Sequence, residues 1–154
     1  MTRGEVPPAR ARRLNLTAGA LLGLGTAAFV DEVVFHQLLH WHHFYDGSTL
    51  EAGLVSDGLF HAFGWFSTVA ALFLTAALRR DAAARLAPFA AGWLSAAGFF
   101  QLYDGLVQHK LMGLHQIRYD VDLVPYDVTW NVIGAVLLIA GLVTWYRTRP
   151  STSQ

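Results

Sequence analysis

Four stretches of this chain are apolar over enough residues to cross a lipid bilayer, which takes about 20 residues of helix. They run near Leu14–Leu39, Leu59–Leu78, Leu86–His109 and Val128–Tyr146. The chain is 54% hydrophobic and 14% charged, against about 25% charged in soluble domains. Gly and Ala recur within the stretches, as close helix packing in lipid favours. The first stretch follows Arg10, Arg12 and Arg13 in the manner of a signal peptide, but its apolar part is too long for one. The expected fold is all-α: an integral membrane, antiparallel four-helix bundle over residues 14–148. Two cytoplasmic tails, 1–13 and 149–154, flank it and read as disordered.

Lys and Arg set the orientation. Arg3, Arg10, Arg12 and Arg13 precede the first span, Arg79, Arg80 and Arg85 separate the second and third, and Arg147 and Arg149 follow the fourth. Only Lys110 and Arg118 lie on the other side. The positive-inside rule then places both termini in the cytoplasm and the connections near Trp41–Gly58 and Lys110–Asp127 outside. Nine of the 11 acidic residues and all 7 His fall at or near that outer side. Polar loops account for Asp46, Glu51 and Asp120. They do not account for Asp31, Glu32 and Asp104, which sit within apolar spans, where an ionised side chain costs at least about 2.5 kcal/mol.

Those carboxylates belong to a cassette that occurs twice, 73 positions apart: Asp31, Val34, His36, Leu38, His42, and Asp104, Val107, His109, Leu111, His115. Spans one and three run in the same direction, so the halves, about 14–78 and 86–146, form parallel-related two-helix repeats about an axis along the membrane normal. The second spans match at an offset of 70, with Asp57-Gly-Leu-Phe-His61 over Asp127-Val-Thr-Trp-Asn131. Two cassettes facing each other would build one symmetric site.

Carboxylate and imidazole are ligands of transition metals and carriers of protons. Positions four apart share a helix face, which groups Glu32 with His36 and Asp57 with His61. Asp31 and His36, like Asp104 and His109, are five apart, about 140° around an α-helix. Both members of such a pair reach one site only through a local distortion, such as a π-bulge. The leading candidate ligands are His36, His109 and His61, then His42 and His115, with Asp57, Asp31, Asp104, Glu32 and Asp127 as ligands or as carboxylates orienting them. His40 and His43 face Gly113 and Gln116 at the repeat offset and read as a solvated loop-edge pair. Trp41, Trp65 and Trp130 read as interfacial belt residues.

There is no Cys, and Met1 and Met112 are the only Met, which disfavours soft Cu(I) sites; imidazole with carboxylate suits copper(II), zinc or iron. The H-E-x-x-H, G-x-S-x-G and phosphate-loop motifs are absent from the sequence. No nucleophile or base can be assigned, so whether the protein is an enzyme stays open.

The segments His36-Gln-Leu-Leu-His-Trp-His-His43, Asp57-Gly-Leu-Phe-His-Ala-Phe63, and Asp104-Gly-Leu-Val-Gln-His109 with Gly113-Leu-His115 resemble a bacterial four-span membrane family, the domain of unknown function 2243. The resemblance covers spans one to four and departs from the family pattern at Glu32, Asp104, Lys110 and Gln116. It implies a multi-pass protein of the bacterial inner membrane and supports the site, which the Lys and Arg distribution puts on the extracytoplasmic side, and it implies no reaction.

The reading is therefore a His/Asp transition-metal site between helices near the outer face, in a metalloenzyme (oxidoreductase or hydrolase) or a metal-handling protein. One alternative is a haem b electron-transfer protein with His36 and His109 as axial ligands. Another is a proton-coupled carrier or a structural subunit of a membrane complex. The bilayer is the expected partner, with a homo-oligomer or larger complex compatible with so small a chain; nothing favours nucleic acid.

Overall fold

The computed structural model describes residues 6–149, and all regular structure among them is helical. Helix α1 (Pro8–Val30) runs directly into a π-helical segment, Asp31–Leu38. Helix α2 spans Leu50–Arg80, α3 spans Leu86–Leu102 and continues as a second π-helical segment, Tyr103–Met112, and α4 spans Val124–Arg147. Three helical runs, Pro8–Leu38, Leu50–Arg80 and Val124–Arg147, are long and apolar enough to cross a membrane. The third expected span, near Leu86–His109, is not among them: α3 has 17 residues, fewer than the about 20 that a crossing takes.

The element ends follow from local chemistry. Pro8, in the first turn of α1, has no N–H to leave unsatisfied, and the helix starts there rather than at Leu14. Residues 8–13, expected in a disordered tail, are therefore helical; the expectations for 1–5 and 150–154 lie outside the described residues. Thr49 caps α2 by accepting the Ala52 N–H at 3.3 Å. Pro125 stands in the first turn of α4. Gly113, at φ 61°, ends the second π-helical segment in the left-handed conformation that suits glycine.

Helix α1 packs against α2 and α3, α3 packs also against α4, and α2 and α4 do not meet among the described residues. The first π-helical segment rests on α2 and the second on α4. At the centre the α1 and α3 backbones nearly touch. A side chain on Gly19 would run into the Phe89 carbonyl, and one on Gly92 into the Leu16 carbonyl. Nearer the His-bearing end, Gly25 abuts Gly64 and Thr68 of α2, as Gly98 abuts Gly134 and Leu138 of α4. These contacts keep the offsets of 73 between α1 and α3 and 70 between α2 and α4.

Inside and outside are inverted relative to a water-soluble protein. The buried residues include Ala18, Ala28, Ala71 and Ala91 beside a set of His, Asp and Glu, while Phe66, Phe73, Val136 and Ile139 face outward. In lipid, large apolar side chains gain nothing by leaving the surface, and small ones let backbones approach. At the Arg-bearing end, buried Asn15 donates to the Ala11 and Ala83 carbonyls and accepts the Arg85 N–H, tying the α2–α3 turn to α1.

Candidate metal site

Both cassettes sit in the π-helical segments. A π-helix bonds i to i+5, and the Leu39 N–H donates to the Val34 carbonyl at 2.9 Å in that pattern. The wider turn brings residues five apart round to each other. His36 Nε2 lies 3.9 Å from Asp31 Oδ2, and His109 Nε2 lies 3.0 Å from Asp104 Oδ2. The awkward spacing in the sequence is thus met by the same distortion in both halves.

Four imidazoles form a continuous row between the two π-helical segments. Ring centroids are 4.6 Å apart for His36 and His42, 4.5 Å for His42 and His115, and 4.6 Å for His115 and His109. Asp31 stands by His36 at one end. At the other, Asp104 reaches both His109 and, at 3.5 Å, His115 Nε2. The ligand atoms of Asp31, His36 and His42 lie within 4.8 Å of one another, as do those of His42, His109 and His115, and those of Glu32, His36 and Asp57.

The hydrogen bonds dictate which ring nitrogen carries the proton. His42 Nδ1 lies 2.9 Å from the Ile117 carbonyl, and His115 Nδ1 lies 2.9 Å from the Phe44 carbonyl. A carbonyl only accepts, so each Nδ1 is protonated and each Nε2 of the neutral ring keeps its lone pair. His36 Nδ1 is likewise spoken for, 3.1 Å from Asp57 Oδ1 and 3.0 Å from Glu32 Oε2. The Nε2 atoms of His36, His42 and His115, both ring nitrogens of His109, and Asp104 Oδ2 are buried with no hydrogen-bond partner among the described residues. Asp104 Oδ2 and His109 Nε2 approach to 3.0 Å, yet neither counts a hydrogen-bond partner among the described residues. Burial, and then the neighbouring imidazoles of His115, His36 and His109, push the His42 pKa down to about 2, so that ring stays neutral.

Asp57, on α2, supports His36 from behind. It accepts the Phe44 N–H at 2.7 Å and bonds to His36, while its other oxygen lies 2.6 Å from His43 Nδ1. His43, set aside in the sequence because the repeat gives it no partner, is thereby part of the site's frame; only its nearness to Asp57 could have revealed it. Glu32 accepts from Gln37 at 2.8 Å as well as flanking His36.

The structure does not bring every candidate together. His61 is exposed, in a groove with Gly25, Phe29 and Trp65, because Phe60 takes the inward place on α2 and packs against the His36 ring at 5.7 Å. Asp127, the counterpart of Asp57, pairs instead with Lys110 Nζ at 2.6 Å. His40 is exposed with φ 50°. Trp130 is half-buried rather than a free belt residue; it donates to the Gln101 carbonyl at 2.9 Å and leans on the His109 ring at 6.4 Å. Trp41 stacks under Arg118 at 4.8 Å.

A family described as predicted membrane proteins, the domain of unknown function 2243, matches residues 18–148. The chain belongs to this family. The match takes in α1 from Ala18 onward, the other three helices and both cassettes, in agreement with the resemblance of the His- and Asp-bearing segments. No match was found to a curated protein or to a solved structure.

Proposed function

We propose that this DUF2243 protein is a bundle of two parallel-related helix pairs that holds transition metal at its extracytoplasmic end, as a metalloenzyme or a metal-handling protein. The observation that carries the reading is the shared tautomer of His36, His42 and His115. Each has its Nδ1 committed to an acceptor and its Nε2 lone pair buried and unpartnered. That is the arrangement by which metal-binding imidazoles are oriented, with a carboxylate or carbonyl behind the ring. A proton-carrying or purely structural network would instead pair its donors and acceptors, since a buried polar group without a partner costs about 1–3 kcal/mol.

The donors are imidazole nitrogens and carboxylate oxygens, which suit copper(II), zinc and iron. Haem b with His36 and His109 as axial ligands fits less well. The His42 and His115 rings occupy the space between those two, where a porphyrin needs an apolar slot.

Elemental analysis of detergent-purified protein, from cells supplied in turn with copper, zinc and iron, tests the reading. At least one ion per chain is expected for one of these metals. Substoichiometric metal under every supply would end it, and a stoichiometric Soret band lost in His36→Ala would replace it with haem.

A further inference from the structure

The geometry points to two divalent transition-metal ions in this centre, one for each cassette, with Asp31, His36 and His42 holding the first and Asp104, His109 and His115 the second. This inference rests on the metal-site reading above and concerns the number of ions and the division of ligands.

The ligand atoms fall into threes rather than into one larger set about a point, and the path through the rings bends at His42 and His115, alternate centroids lying 6.3 and 6.0 Å apart. The row runs His36, His42, His115, His109, with successive centroids 4.5–4.6 Å apart. One carboxylate stands at each end, Asp31 by His36 and Asp104 by His109. Metal–nitrogen bonds are about 2.0–2.1 Å long, so one ion cannot draw on both ends without moving the helices that carry them.

His42 decides how the ligands divide. Its Nε2 is close enough to serve either end, with Asp31 and His36 or with His109 and His115. It has one lone pair to give, because Nδ1 is held by Ile117, and so it serves one ion. Asp104 supplies what the second position then lacks, with Oδ2 3.0 Å from His109 Nε2 and Oδ1 3.5 Å from His115 Nε2. Each ion receives two imidazoles and one carboxylate from its own cassette, a ligand set used by open transition-metal sites.

Charge points the same way. Asp31, Glu32, Asp57 and Asp104 are each 1–2% exposed, and no Lys or Arg is buried with them among the described residues. Four ionised carboxylates in a dry interior need compensation. Metal binding displaces protons from its ligands, so two divalent ions match the charge of the four carboxylates, where one would match two.

The test is stoichiometry in the full-length protein in detergent. Apoprotein is loaded with Zn(II), desalted and counted by elemental analysis, and loaded in parallel with Cu(II) for electron paramagnetic resonance. The parent should hold two Zn(II) per chain, His36→Ala one, His109→Ala one, and the double variant none. Two neighbouring Cu(II) ions should couple, and either single variant should restore the signal of an isolated ion. Should an alanine variant aggregate, Asp31→Asn and Asp104→Asn, which keep size and shape, must each cost one ion. One ion in the parent, lost entirely in each single variant, overturns the two-ion centre and leaves a single metal site standing. Two ions persisting in either single variant also overturns the division. No metal in the parent overturns the metal reading itself.

Discussion

His42 and His115 stack face to face, with ring centroids 4.5 Å apart and planes 8° apart, and each is held by the connection that belongs to the other. His42 bonds to the Ile117 carbonyl and His115 to the Phe44 carbonyl. The Asp46 N–H, donating to the Leu114 carbonyl at 2.9 Å, joins the same two connections. His42→Ala and His115→Ala should therefore each lower bound metal and loosen both connections, read as faster proteolysis within residues 39–49 and 113–123. His61→Ala and His40→Ala should retain full metal and the parental digestion pattern. Loss of metal in His61→Ala would contradict the placement of that residue on the outer face of α2.

Asp57 supports the site through His36, His43 and the Phe44 N–H. Asp57→Asn keeps the shape but weakens the acceptor behind His36, and should reduce metal affinity about 10- to 100-fold while leaving the number of bound ions unchanged at saturation. Competition against a chromophoric chelator measures this. An unchanged affinity would show that the His36 ring needs no carboxylate behind it.

A ring kept neutral in the fold makes acid unfavourable. The His42 pKa is pushed from 6.5 to about 2 by burial and by its neighbouring rings, whereas in the unfolded chain the ring charges near its ordinary value. Its contribution to stability is therefore intact above about pH 6.5 and is lost progressively as pH falls below that towards the folded value. The melting midpoint of the metal-free protein should decline from pH 8 to pH 5, and decline less in His42→Gln. Parallel profiles for the two proteins would contradict it.

Gly92 lies where any Cβ would strike the Leu16 carbonyl, whereas a Cβ on Gly58 meets nothing within 4 Å. Gly92→Leu should cost at least about 1–3 kcal/mol through overpacking and lower the melting midpoint in detergent. Gly58→Ala should be neutral or raise the midpoint, since alanine favours the helix by up to about 1 kcal/mol. Equal midpoints for the two variants would be incompatible with the close approach of α1 and α3.

The orientation can be read with reporter fusions. A reporter active only after export should work at Gly47 and fail at the C-terminus, because Lys and Arg concentrate at the other end of the helices. The opposite pattern would turn the site towards the cytoplasm.

Much of this arrangement was legible because it is written twice. The offset of 73 exposed both cassettes, and the five-residue spacing of Asp31 with His36 and of Asp104 with His109 required a wider turn than an α-helix provides. Gly19 with Gly92 and Gly25 with Gly98 keep the same offset, but with 14 Gly in the chain a coincidence between glycines carries little information by itself. His61 misled because a four-residue step preserves a helix face only in projection. One turn along α2 from Asp57 the inward position belongs to Phe60, and the His side chain points away from the cluster. His43 was read as a solvated loop-edge residue for the reverse reason: its role depends on how the connection after Leu39 folds back over Asp57, and no periodicity governs that path.

The two π-helical segments make chain length part of the chemistry. Each wide turn holds one residue more than the α-helical turn it replaces. Deleting a single residue between Asp31 and His36 would leave every ligand present and restore an ordinary helix, in which the two, then four apart, would still share a face. The same holds between Asp104 and His109. In these two places a one-residue deletion can be absorbed by trading the wide turn for an ordinary one, whereas elsewhere along the same helices it would rotate everything beyond it by about 100°, so related sequences that keep this centre can differ in length at these two turns.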